Sequence, residues 1–297
     1  GDTVFDVEIT PNRPDLLGVV GLIREIVAAT RRDIKTTYKR IVDEQDAIDH
    51  KDVQNNLLVP EDCPVYYGRR ITGVKITPSP EWLVNFLGKY GIDSANNLVD
   101  LCNYVMLETG HPLHVYNAEK ITGGTVSIRD SKENESFPRI GGIQVNLGSG
   151  HIVIVDAADQ ILALAGVIGG ESSQVTDTTT NIVIESAYFS PQKVRSASKQ
   201  SKISTNASFR FERGADPLIP QYALNRLTNL IKETTGGIAT EELSYGKEIH
   251  SPKKVRVTFS KINKYLGLEI DKEFSTKALE SLGFKITQVD DDGLEVL

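Results

Sequence analysis

Apolar and polar positions alternate in short bursts along this chain, and the period changes several times. Phe5, Val7 and Ile9 alternate with Asp6, Glu8 and Thr10, which predicts a half-buried strand over residues 4–10. Asn12-Arg13-Pro14 turns the chain, and Asp15 is placed to cap a helix running to about residue 29, with Val19, Ile23, Ile26 and Val27 on its apolar face. Residues 30–59 are charged and weakly periodic and read as a linker with some short structure. Residues 66–77 look like a strand. Ser79-Pro80-Glu81 is a helix start, with Ser as cap, Pro at the first helical position and an acid in the first turn. That helix is expected to carry Trp82, Phe86 and Leu87 inward and to stop at Gly91, and a second helix to cover 98–107. Strand-like runs follow at 125–128, 151–156, 161–167 and 181–185. Ser190-Pro191 can open another helix, and 218–233 is amphipathic, with Leu227, Leu230 and Ile231 on one face. Near the end, Val255, Val257 and Phe259 alternate as a strand. Short helices are expected at 260–266 and 274–282, and Asp292-Gly293 marks a hairpin between 284–289 and 294–297.

The pattern is that of an α+β protein, β-rich in the middle and flanked by small helix-plus-strand segments. The expected divisions are residues 1–60, 61–245 and 246–297. At 297 residues the chain can hold two or three domains. No apolar run approaches the roughly 20 residues of a membrane helix, and no basic segment with an apolar core opens the chain, so neither a membrane span nor a secretory signal is expected. The chain opens on Gly1 and its single methionine is Met106, so it is expected to be part of a longer protein. Two cysteines, Cys63 and Cys102, make neither a disulfide framework nor a zinc site, and a reducing cytoplasm is the expected setting. A net charge of −7 argues against a wholly basic nucleic-acid surface. A local one is left open by Lys193, Arg195, Lys199, Lys202, Arg210 and Arg213, which otherwise read as a solvated surface with a few ion pairs.

Four stretches could carry chemistry. Asn103-Tyr104-Val105-Met106-Leu107-Glu108-Thr109-Gly110-His111-Pro112-Leu113-His114 sets an apolar, helix-compatible run before a Gly, a Pro and two histidines. His114 either satisfies loop backbone or acts on a ligand, and Asn103 inside a helix implies exposure or a specific hydrogen bond. Ala165-Gly166-Val167-Ile168-Gly169-Gly170 reads as a β-turn or as a wall that lets a ligand approach the backbone. Glu185 ends the apolar run Ile182-Val183-Ile184, so its carboxylate must be paired with an Arg, solvated or put to use. Thr205-Asn206-Ala207 puts small residues before Arg210 and Arg213, whose guanidinium groups are expected to pair with Glu212 or Asp216. No Ser-His-Asp arrangement, nucleophilic Cys or HExxH-type metal motif stands out.

Together with Ile9-Thr10-Pro11-Asn12-Arg13-Pro14-Asp15 and Ile184-Glu185-Ser186-Ala187, these fragments in this order resemble the bacterial phenylalanyl-tRNA synthetase beta-subunit family over nearly the whole chain. The resemblance implies a central fragment: an editing domain at 61–245, then a winged-helix-like segment of DNA-binding-fold type. It implies hydrolysis of Tyr-tRNA(Phe), with His114 orienting the ester end, Glu185 reading the tyrosine hydroxyl and Thr205 at the site. Asn103, Ala165, Gly166, Gly169 and Ala207 would shape the pocket for L-tyrosine. Cys102 departs from the family, which often has Thr there. The whole enzyme would be a cytoplasmic alpha2-beta2 ligase with an alpha-subunit partner and tRNA(Phe), using ATP and Mg²⁺. No cofactor or metal is expected on this fragment, and no membrane. The competing expectations are a non-catalytic scaffold that docks the alpha subunit and tRNA, and a small helix-and-wing nucleic-acid binder at 251–297.

Overall fold

The computed structural model describes residues 3–30, 32, 50–52, 58, 61–246 and 253–297. Its elements run α1 (Val19–Thr30), β1 (His50–Asp52), β2 (Val65–Thr72), α2 (Glu81–Gly88), α3 (Asn97–Thr109), β3 (His114–Asn117), β4 (Val126–Asp130), β5 (Glu135–Pro138), β6 (Gln144–Leu147), β7 (Ile152–Asp156), β8 (Ile161–Leu164), β9 (Ile168–Gly169), β10 (Asn181–Tyr188), α4 (Pro191–Ser201), α5 (Asn206–Phe211), α6 (Pro220–Thr235) and β11 (Ile238–Gly246). The chain ends with β12 (Val255–Thr258), α7 (Phe259–Leu266), α8 (Lys272–Ser281), β13 (Ile286–Val289) and β14 (Gly293–Val296). The α+β class is as expected. The chain forms two compact units, Gly1–Gly18 with Glu44–Ile249, and Val19–Asp43 with His250–Leu297.

The first unit is built on a five-stranded sheet in the order β1-β11-β2-β10-β3. Its strands alternate, with one register shift in β11 between Ala239 and Glu241, and each face has its own core. One face sends Ile71, Val115, Ile182 and Ile184 to Leu83, Leu87, Leu98, Leu101, Leu224 and Leu227 of the helices α2, α3 and α6. Arg69 and Glu242 form a buried ion pair on the same side, and Thr228 of α6 accepts from Arg69 at 3.1 Å. The opposite face sends Tyr66, Tyr116, Val183, Ala187 and Tyr245 to Ile128, Ile154, Leu162 and Leu164 of a second sheet, ordered β4-β7-β8-β9. A central layer with apolar cover on both faces explains the near-continuous apolar run Ile182-Val183-Ile184.

Capping sets the helix before the site. The Asn96 side chain accepts from the backbone N–H of Leu98 and Val99, and Gly110 closes α3 at φ 76°. Just past it, the Gly18 backbone lies so close to Gly110 that a Cβ on Gly18 would fall 2.2 Å from the Gly110 nitrogen.

Several expectations need correction. Residues 3–10 form no strand: Phe5 is 82% exposed and pairs with no described sheet. Asp15 is no cap but accepts from Arg13 at 3.0 and 2.8 Å, beside a short 3₁₀ turn at Pro14–Leu17. Ser79 does not cap α2; its hydroxyl donates to the buried Asp100 carboxylate at 2.6 Å. Trp82 is 47% exposed because α2 buries Leu83 and Leu87 instead, and the indole packs edge-on to Tyr104 at 5.4 Å. The helix ends at Gly88 rather than Gly91. The run at 161–167 breaks after Leu164, where Gly166 at φ 67° turns it into a hairpin with β9.

The second unit has a three-stranded antiparallel sheet, β12-β14-β13, with Phe259, Leu294 and Val296 at its core. The strand–helix–helix–hairpin order read from the sequence is the order observed. α1 packs against α8 within this unit.

Candidate functional site

The site lies on the face of the large sheet that meets the second sheet. Glu185 does not end its strand: β10 continues to Tyr188, with β2 on one side and β3 on the other. In register, Glu185 faces Gly68 of β2 and His114 of β3. Strand alternation puts Tyr116 and Ala187 on the same face, and Tyr116 is a diagonal neighbour of Glu185. The Tyr116 hydroxyl donates to Glu185 Oε2 at 2.7 Å. Glu185 is 5% exposed and has no arginine partner. Burial pushes its carboxyl up to about 7, partly opposed by the phenols of Tyr116 and Tyr66. The Tyr66 hydroxyl acts on the same carboxyl without forming a hydrogen bond of good geometry, so Tyr116 is the stronger partner.

His114 opens β3, with its ring edge-on to Tyr116 at 4.6 Å. Burial pushes its imidazole down to about 4, so it is neutral at pH 7. The β8–β9 hairpin closes over it. A Cβ on Gly169 would sit 2.5 Å from His114 Cε1 and 2.7 Å from Nε2, so any side chain there would displace the imidazole. Gly166 is equally constrained: a Cβ would lie 3.0–3.2 Å from Val194, Phe211 and Phe189.

The far wall comes from α5. Thr205 caps that helix through a reciprocal box with Ser208, which aims Ala207 and Phe211 at the hairpin. Phe211 packs edge-on to Phe189 at 5.4 Å and to His111 at 5.7 Å. The pocket is lined by His114, Glu185, Gly166, Gly169 and Ala207, with an otherwise apolar wall that includes Leu113, Ala163, Ala187, Phe189 and Phe211. The cavity volume is about 60 Å³, room for more than one ordered water.

Five of the eight residues singled out from the sequence therefore meet in one pocket. Three do not line it. Thr205 spends its hydroxyl on the fold, donating to the Val167 carbonyl at 2.9 Å and accepting from Ser208 N–H at 3.0 Å. Ala165 is buried in the core, its N–H bonded to the Ile152 carbonyl. Asn103 sits half-buried in the middle of α3. The adjacent Cys102 has its thiol pushed up to about 12 by burial and is no nucleophile at neutral pH.

Tyr116, Ala187, Phe189 and Phe211 were missed. Period-2 spacing from His114 and from Glu185 points to the first two. Arg213 does pair with Glu212, at 2.6 Å, and stacks on Phe209. Arg210 instead donates to the carbonyls of Asn206 and Leu17. Lys193 is held by Asp62 and Asp130, so the basic run is not one free patch. Among the described residues no three His, Cys, Asp or Glu side chains stand together as a metal site, and none of their helices is long and apolar enough to cross a membrane.

A family model described as "B3/4 domain" matches residues 62–236, more than half of the chain and the whole of this pocket. The chain belongs to the B3/4 domain family. This B3/4 chain is 38% identical to the phenylalanine–tRNA ligase beta subunit of Geobacter sulfurreducens, over 99% of its own length and 37% of that subunit. It is 39% identical to the subunit of the same name from Rhodopirellula baltica, over 99% of its own length and 43% of the relative. It thus spans about two fifths of the length of these relatives. The crystal structure of an N-terminal fragment of the phenylalanyl-tRNA synthetase beta subunit from Pyrococcus horikoshii aligns over 96% of this chain and 78% of that one, with a TM-score of 0.42 and 15% identity.

Proposed function

We propose that this chain is the editing part of a phenylalanine–tRNA ligase beta subunit, and that its pocket hydrolyses tyrosine mistakenly esterified to tRNA(Phe). The observation that carries this reading is the placement of Glu185. One carboxyl group stands in a pocket whose other side chains are apolar save for the neutral imidazole across the strand register. An apolar pocket alone discriminates poorly against an added hydroxyl. A site with a buried acceptor for that hydroxyl rejects the ligand lacking it by about 10⁴–10⁵. Tyrosine would satisfy Glu185, whereas phenylalanine would leave it unpaired.

The ester is already activated, so the site has to hold the aminoacyl end and place a water. His114, neutral at pH 7, is suited to hydrogen-bonding the ester or terminal ribose and orienting that water. Ala207, Gly166 and Gly169 make room for the ring, and Thr205 contributes by fixing α5. In the whole enzyme, residues 61–245 would form the editing domain and 246–297 the helix-and-wing segment that follows it. Ligation with ATP and Mg²⁺ would take place on the alpha-subunit partner of a cytoplasmic alpha2-beta2 assembly.

The test is deacylation of preformed Tyr-tRNA(Phe) by the assembled ligase. The Glu185→Ala, His114→Ala double variant should lose clearance by about 10³-fold, as expected when an oriented binding group and a positioned polar group are both removed. Clearance at the wild-type rate would refute the assignment and leave a docking scaffold as the role of this segment.

A further inference from the structure

Two tyrosines and a cysteine lie buried beneath the pocket beside Tyr116, and the function proposed above makes no use of them. Tyr66 of β2 and Tyr245 of β11 stack face to face at 4.7 Å and 3°, with both hydroxyls buried and unpartnered. Cys63 is fully buried, and its thiol is pushed up by burial and by the Glu185 charge. Tyr116 differs from these because its hydroxyl reaches Glu185 Oε2 while its ring touches the His114 imidazole. Tyr116 thus touches both polar groups of the pocket.

We propose that Tyr116 is the positioning residue of this site: its phenol holds one oxygen of Glu185 so that the other meets the ligand hydroxyl, and its ring backs His114. This rests on the editing reading. The sheet geometry carries the argument. Glu185 lies opposite Gly68 of β2, and the β2 side chain that leans over that glycine, Tyr66, makes no hydrogen bond of good geometry to the carboxyl. The well-formed hydrogen bond comes from β3, where alternation puts His114 and Tyr116 on one face two residues apart. Tyr116 is fully buried, so its phenol cannot exchange Glu185 for solvent.

The arrangement also governs when Glu185 is charged. The groups that face it are Tyr116 and His114 from β3, Tyr66 from β2, Tyr245 from β11 and Cys63 from the segment before β2. No lysine or arginine lines the pocket. The phenol of Tyr116 is thus the principal hydrogen-bond donor that stabilises the carboxylate form, and burial opposes it.

The test compares Tyr116→Phe with Tyr66→Phe in the assembled ligase. Two readouts are used: the carboxyl titration of Glu185 followed by ¹³C NMR, and the pH profile of Tyr-tRNA(Phe) deacylation. Losing a hydrogen bond to a carboxylate raises the Glu185 midpoint by about one to two pH units in Tyr116→Phe. The ascending limb of the deacylation profile moves with it, and turnover at pH 7 falls about tenfold or more. Tyr66→Phe removes a hydroxyl without good hydrogen-bond geometry to the carboxyl and shifts the midpoint by less than half as much. Equal shifts in the two variants, or an unmoved midpoint in Tyr116→Phe, would overturn the proposal. If wild-type ligase fails to clear Tyr-tRNA(Phe), the editing reading falls, and the carboxyl titration alone still decides whether Tyr116 controls Glu185.

Discussion

Replacing Glu185 with glutamine removes a charge that the fold holds at a cost, and the cost can be worked out. The carboxyl is displaced from 4.5 to about 7, chiefly by burial. Because the folded value lies above the unfolded one, the native state prefers the protonated form. Below pH 4.5 both states are protonated and nothing is lost. As pH rises through 7 the native state must carry a buried charge, and above 7 the full penalty applies. At about 1.4 kcal/mol per unit, that penalty is about 3 kcal/mol at pH 8 and about 1 kcal/mol at pH 5. Glutamine keeps a carbonyl for the Tyr116 hydroxyl and mimics the protonated acid. Urea unfolding of the chain and its Glu185→Gln variant at the two pH values should therefore show the variant gaining about 2 kcal/mol more at pH 8 than at pH 5. Titrating histidines are common to both proteins and cancel in the difference. A stability difference that stays constant within about 0.5 kcal/mol, or a variant that is weaker at pH 8, would show that Glu185 is solvated or paired and that the pocket argument is wrong. A variant that is more stable yet defective in Tyr-tRNA(Phe) clearance is the expected combination for a residue placed by function.

Three further outcomes can be checked. Gly169→Ala should displace the His114 ring, visible as a changed imidazole NMR signal, and slow deacylation at least about tenfold, since misplacement by about 1 Å has effects of that order. His111 is 1% exposed, with both ring nitrogens unpartnered, and burial pushes it down to about 3. Stability should therefore fall as pH drops below 6.5, by about 2 kcal/mol from this residue at pH 5, and thermal melts of His111→Leu should show that loss relieved. Thr205→Ala should cost about 1 kcal/mol through the lost cap, read as a lower urea midpoint, whereas Thr205→Ser should keep both stability and clearance close to wild type.

Long periodic segments were readable in advance because a buried face writes itself into spacing. α6 and the whole strand–helix–helix–hairpin segment are examples. The N-terminal alternation failed for a related reason: Phe5 and Val7 match a strand pattern, but pairing needs a neighbouring backbone that spacing cannot supply. β3 escaped notice because four residues after a proline are too few to display a period. The β5–β6 hairpin escaped because its exposed residues Ser136, Gln144 and Asn146 look like loop. Glu185 and His114 were recognisable by chemistry, as polar groups where apolar ones were expected. Their adjacency was not, because it depends on β10 and β3 meeting in one register across some seventy residues. Thr205 caps α5, a role that a small hydroxyl before a helix takes at least as readily as a ligand contact.

The second unit draws α1 and the last three strands from opposite ends of the chain, Val19–Asp43 and His250–Leu297. On the ribosome the helix emerges about two hundred residues before its sheet. At about 5–20 residues per second it waits some 10–40 s for a partner. The sandwich holding the pocket draws most of its residues from the interval between and can close during that delay. Synthesis order thus favours a finished pocket before the second unit is completed.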